Sequence, residues 1–211
     1  MMQRRHLLLL LATAPVGCAS PNPVLYVLAP LPGASLPATP VPGRLPARAA
    51  QSRTAEAGAL QAGTADTVEL REIGLARYLD RSQIVRSSEN YRLDVLSNEW
   101  WGEPLGAMLS RVLVQELTQR LPGSTVFAES GAITANAGAT VAVNVERLDA
   151  DATGAVVLIA QVEVSGRVAG TRNFHVTVPT TTAGTAGLVE AMSQAVAQLA
   201  DTIAAMLDNP R

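Results

Sequence analysis

The chain has 211 residues and a formal net charge of −2, with 16 basic against 18 acidic side chains. That balance supplies no basic surface for a phosphate backbone, so nucleic acid is excluded as a partner. A single cysteine, Cys18, and two histidines leave neither a disulfide framework nor a thiolate metal site to hold the fold, and stability must come from an apolar core.

The first element in chain order is a leader. Arg4 and Arg5 make a basic start, Leu7 to Ala14 a short apolar run, and Gly17 a small residue ahead of Cys18; together they read as a secretory signal peptide over residues 1–17. The run is too short to span a bilayer. The segment resembles the bacterial lipobox, with Pro15 where leucine is usual. That resemblance makes Cys18 the lipidation site, carrying acyl chains such as palmitate and becoming the new N-terminus. One acyl chain, at about 0.8 kcal/mol per buried methylene, anchors marginally, whereas the several chains of a bacterial lipoprotein hold firmly. Ala19, where lipoproteins kept at the inner membrane resemble one another in carrying aspartate, favours the outer membrane, facing the periplasm.

Residues 18–28 form the acylated N-terminus and contain Val24-Leu25-Tyr26-Val27-Leu28, a β-prone apolar run expected to be a first strand paired with the distant domain. Residues 29–65 are rich in Pro, Ala and Gly, Pro30, Pro32, Pro37, Pro40, Pro42 and Pro46 among them. They read as a linker or an irregular surface strap. Residues 66–211 have the size of one domain with one core.

Within that domain, Val68 to Ile73, Tyr91 to Leu96, and Val141, Val143 and Val145 alternate as strands do. After the turn Asp149 to Gly154, the run Ala155 to Val164 starts apolar on both faces and ends alternating, which suits a central strand in a hairpin with its predecessor. Gly166 and Gly170 bracket a further turn, Phe174, Val176 and Val178 face one way, and Pro179 closes that strand. Two segments have helical period. One passes through Trp101, Leu105, Met108 or Leu109, Val112, Leu117 and Leu121, with Pro104 in its first turn and Pro122-Gly123 as its stop; the other starts near Thr185 and passes through Leu188, Met192, Val196, Leu199, Ile203 and Met206. The expected fold is α+β, a mostly antiparallel sheet packed against two long helices.

The chemistry of catalysis is thin. There is no Gly-x-Ser-x-Gly elbow, Walker loop or dinucleotide fingerprint, and His175, on the polar side of its strand, is the only histidine after the leader. No cofactor and no metal are expected, and the reading is non-catalytic. Asp149 and Asp151 beside Gly154 suit a hairpin turn better than a cation loop, because the other oxygen ligands of such a loop are missing.

Two clusters carry more information: Tyr78-Leu79-Asp80-Arg81-Ser82-Gln83-Ile84-Val85, and Trp101-Gly102-Glu103-Pro104-Leu105. With the lipobox, the Tyr26-Val27-Leu28 strand and the terminal helix, they resemble the ABC-type transport auxiliary lipoproteins. Tyr78, Leu79, Asp80 and Arg81 match that family's Tyr-Leu-Asp-Arg; Gln83, Ile84 and Val85 match its Gln-Ile-Val; Trp101, Pro104 and Leu105 match its Trp-x-x-Pro-Leu. The long proline-rich insert and Trp100, where a polar residue is commoner, depart from it. The resemblance implies a periplasm-facing subunit of a machine that moves lipid between two membranes and maintains outer-membrane integrity. Its partners would be a mammalian-cell-entry-type protein and a membrane permease with its ATPase, and a homo-oligomer is compatible with that role. The alternative is a structural envelope-assembly lipoprotein without a transport role. Tyr78, Asp80, Arg81, Gln83 and Trp100 are the candidate partner-binding residues. As helix neighbours about 100° apart, Trp100 and Trp101 would not share a pocket, so one packs inside and the other meets a partner or the rim.

Overall fold

The structure is a computed structural model that describes residues 22–31, 66–89, 91–132 and 135–208. The leader, Cys18 and most of the proline-rich segment lie outside the described residues. Eleven elements follow in order: β1 (Val24–Tyr26), β2 (Asp66–Leu70), β3 (Gly74–Leu75), β4 (Gln83–Glu89), β5 (Arg92–Trp101), α1 (Leu105–Arg120), β6 (Ser124–Ala128), β7 (Ala139–Ala150), β8 (Val156–Gly166), β9 (Gly170–Val178) and α2 (Gly184–Asp208).

The α+β class holds, and the strands divide into two sheets. The larger has the order β6-β2-β7-β8-β9, with β3 also on β7; the smaller has the order β1-β5-β4. The long ladders β7–β8 and β8–β9 are antiparallel, as is β4–β5. By contrast, β2 runs parallel to both β6 and β7, β3 parallel to β7, and β1 parallel to β5. Parallel neighbours need a crossover, and α1 lies in the connection from β2 to β6.

The alternation read in the sequence is realised in β8. Val156, Val157 and Leu158 are all buried, after which burial falls on Ala160, Val162 and Val164 only. That is a strand sandwiched where it begins and half-exposed where it ends. The two helices cover the apolar side: Leu105, Met108, Leu109, Val112, Leu113 and Leu117 of α1, and Leu188, Met192, Val196, Leu199 and Ile203 of α2, share one core with β7 and β8. Pro104 stands at the N-cap of α1 and supplies no side-chain cap, while Leu121 closes the helix through its N–H to the carbonyl of Leu117 at 2.9 Å. α2 begins on Gly184 in the left-handed region, φ 86°. Three residues on, a Cβ at Gly187 would stand 1.9 Å from the Thr182 carbonyl oxygen. Gly187→Ala therefore has to displace the turn that starts α2, and a loss of about 2 kcal/mol in denaturant-unfolding stability is expected.

The first strand forms as expected, and the chain beyond it is held in an unexpected way. Leu28 is fully buried. Its N–H donates to Met108 Sδ at 2.9 Å, the N–H of Ala29 to Ser193 Oγ at 3.3 Å, and the N–H of Leu31 to Glu116 Oε1 at 2.6 Å. Segment 28–31 thus forms a strap across α1 and α2 whose backbone donors are met by side chains. The buried Glu116 carboxylate is balanced by Arg120, which also reaches Asp201 of α2.

Candidate functional site

The two sequence clusters come together at the inner end of the smaller sheet. The N–H of Trp101 donates to the Ser82 carbonyl at 2.7 Å, and Gln83 is the ladder partner of Trp100. On its other side Trp100 is the partner of Leu25 in β1. Cross-strand partners share a face, so Gln83, Trp100 and Leu25 form one row across three strands. Val27 extends it, since a Cβ on Gly102 would touch Val27 Cγ1 at 3.0 Å. Leu25 is 62 % exposed and Val27 is exposed as well.

This geometry corrects the placement of the tryptophans. Trp100 and Trp101 end β5 instead of opening α1, and successive strand residues point to opposite faces. Trp101, 7 % exposed, is in the core beside half-buried Tyr26, its ladder partner. Trp100 is half-buried on the other face and donates its indole N–H to the Ser97 carbonyl at 3.0 Å. One tryptophan is inside and one at the surface, by the period of a strand and not of a helix.

Asp80 and Arg81 are exposed at the turn before β4. With Ser82, Glu103 and Pro104 they border a hollow of about 380 Å³ whose floor includes Trp101 and Leu105. Glu103 is held there by Arg111 through Nε at 3.1 Å and Nη2 at 2.5 Å. Tyr78 behaves differently from its neighbours. It is half-buried, and its hydroxyl donates to Asp149 Oδ2 at 2.7 Å. Asp149, 1 % exposed, also accepts Ser87 Oγ at 3.1 Å and the Arg147 guanidinium through Nε at 3.1 Å and Nη2 at 2.9 Å. Burial first, and then the Asp149 carboxylate, push the Tyr78 phenol well above its ordinary value. Tyr78 therefore turns inward as an internal support; Asp80 and Arg81 border the hollow over Trp101, while Gln83, Trp100 and Leu25, continued by Val27, form a row on the other face of β5.

The neighbouring Asp151 makes the hairpin turn. Its Oδ1 accepts the Thr153 N–H at 2.8 Å, the Thr153 hydroxyl at 2.6 Å and the Ala155 N–H at 3.1 Å. The Thr153 hydroxyl leads in holding that carboxyl below its usual range. His175 is exposed on β9 opposite Ile159. Among the described residues, no group of three His, Cys, Asp or Glu side chains could hold a metal ion, and no helix is long and apolar enough to cross a membrane.

Leu25 and Val27 were missed as site residues. Their signal was the β-prone run itself, which identified a strand without identifying the neighbour that would turn its outer side chains into part of a patch.

A family model described as ABC-type transport auxiliary lipoprotein component matches residues 47–204. Among solved structures, the chain is similar to one titled crystal structure of uncharacterized protein, at 23 % identity and TM-score 0.63, covering 67 % of this chain and 92 % of that one. It is also similar to protein XCC0632 from Xanthomonas campestris, at 19 % identity and TM-score 0.56, covering 66 % and 82 % respectively. Both likenesses concern the fold. A comparison with curated proteins gave no match.

Proposed function

Since this chain belongs to the family of ABC-type transport auxiliary lipoprotein components, we propose that it is a non-catalytic, periplasm-facing subunit of an intermembrane lipid transport system. In this reading it is held at the outer membrane by acylated Cys18 and docks a mammalian-cell-entry-type partner through the patch around Trp100. The observation that carries the docking role is the row of Gln83, Trp100 and exposed Leu25, extended by exposed Val27, with exposed Asp80 and Arg81 in the turn that leads into Gln83. An apolar centre rimmed by charge is the usual anatomy of a protein interface. Asp80 and Arg81 at the rim set register and encounter rate, while Leu25 and Trp100 supply the area excluded from water.

The test is a pull-down of the purified double variant Asp80→Ala, Arg81→Ala with the cell-entry partner. Binding weakened by about tenfold, roughly 1.4 kcal/mol, at unchanged melting temperature is the expected result, and cells carrying the variant should show an envelope defect under membrane stress. Unchanged binding at unchanged stability would remove the docking role from this patch.

A further inference from the structure

The large apolar side chains left exposed among the described residues are Val24, Leu25, Val27, Tyr91, Leu93 and Val95. Val24, Leu25, Leu93 and Val95 are on strands of the smaller sheet, Val27 follows its first strand and Tyr91 lies between β4 and β5. Leu25 and Val27 lie with the Trp100 patch. Tyr91, Leu93 and Val95 lie at the opposite end, where β4 and β5 form a hairpin. Arg92 and Trp100 are eight residues apart on β5, so the two ends are separated by about 26 Å.

The hairpin tip has an unusual construction. Glu89 pairs with Arg92, and Tyr91 directly precedes Arg92 in the connection between β4 and β5. Tyr91 takes φ 65°, a backbone region that favours glycine and is uncommon for a bulky residue. Its side chain is fully exposed, at 108 %. A large aromatic kept fully exposed where the backbone would be relaxed with glycine points to a role outside the domain. Leu93 and Val95 follow at the two-residue period that places them on one face. Arg92 is paired with Asp94 at 3.2 Å, so its own charge is locally compensated, and the hairpin combines these apolar side chains with exposed Arg86.

The direction of β1 indicates what the tip meets. β1 runs parallel to β5 and joins it at Val24 opposite Glu99, so the chain enters the sheet from the side of the hairpin. Asn22, the first described residue, lies four positions after Cys18, which keeps their Cα atoms within about 14 Å. Given the lipoprotein reading above, on which this step rests, the bilayer lies within that reach of the entering chain. We propose that the β4–β5 hairpin tip is a second, non-covalent membrane contact, with Tyr91, Leu93 and Val95 seated in the boundary between headgroups and acyl chains. A tyrosine ring with an apolar body and a polar tip suits that layer. The tip would fix the orientation of the domain on the bilayer and turn the Trp100 patch away from it.

Because Cys18 is the sole cysteine and its sulfur is consumed by acylation, Leu93→Cys introduces a unique reactive thiol into the full acylated chain. The protein is labelled there with an environment-sensitive fluorophore, reconstituted in phosphatidylcholine vesicles containing nitroxide-labelled lipid, and compared with Thr125→Cys on β6, an edge strand of the other sheet. Quenching at position 93 at least about threefold stronger than at 125 is expected for a side chain in the interfacial layer, and Val95→Cys should repeat the result. Equally weak quenching at 93, 95 and 125 in an acylated, vesicle-bound protein would overturn the membrane seat and leave the lipoprotein reading intact. Absence of an acyl chain on Cys18 by mass spectrometry, with no vesicle association, would overturn both.

Discussion

Trp101→Ala is expected to destabilise the domain by about 3–5 kcal/mol, as loss of a buried aromatic does, whereas Trp100→Ala should cost less than about 1 kcal/mol. Trp101 lies where four segments meet. Its N–H is taken by Ser82, its ladder partner is Tyr26, and its side chain is buried in the cluster that holds Leu28, Leu79 and Ile84. Truncation opens a cavity beneath the Asp80–Arg81 turn and loosens β1 at the same time. Trp100 is turned the other way, and its indole N–H reaches only the nearby Ser97 carbonyl, which water can replace. Urea unfolding of both variants is the measurement. Equal losses would mean that β5 does not present its two tryptophans to opposite faces.

Asp149→Ala should cost about 3 kcal/mol or more, because it strips one buried carboxylate from three donors at once. Arg147 is left without its partner, and the hydroxyls of Tyr78 and Ser87 lose their acceptor. Tyr78→Phe removes a single hydrogen bond and should cost about 1 kcal/mol. The alkaline behaviour separates the two. The Tyr78 value is raised in the folded state above its ordinary 10.0, so the unfolded chain releases that proton first as the medium becomes alkaline. The contribution is complete below pH 10 and declines from there upward toward the folded value. Stability measured through that range should fall less steeply in Tyr78→Phe than in the parent, and an unchanged slope would show that the phenol is not coupled to folding.

Much of the fold could be read directly because burial imprints a period on a strand or helix. β8, β9 and both helices were legible on that ground, whereas the separation of a buried from a surface tryptophan follows from a strand period and not from the helical one expected. What the period does not encode is which strand lies beside which. Alternation in Val68 to Leu70 identifies an inner face, but nothing in it announces parallel neighbours at β6 and β7, since those pairings are made by backbone groups common to all residues. Trp101 was assigned to the helix for a related reason: its four-residue spacing to Leu105 fits a helical stripe, while its place at the end of a strand depends on the long-range bond to Ser82. The site was legible as two short motifs. Their convergence was not, nor was the inward turn of Tyr78, whose acceptor lies 71 positions away in a segment that local chemistry marks as a turn.

The strap formed by residues 28–31 changes how the length of the proline-rich insert should be understood. Because the strap is fastened to Met108, Ser193 and Glu116, tension arriving from the N-terminus is delivered to α1 and α2 before it reaches residue 32. The insert that begins at residue 32 then follows the fastening point and is out of the line of force. If the proposed anchor at Cys18 holds the chain, the standoff between membrane and folded body is governed by the few residues ahead of β1, and lengthening or shortening the insert leaves that standoff unchanged. A leash is adjusted at those few residues, and its fastening depends on three side chains that evolution can alter one at a time.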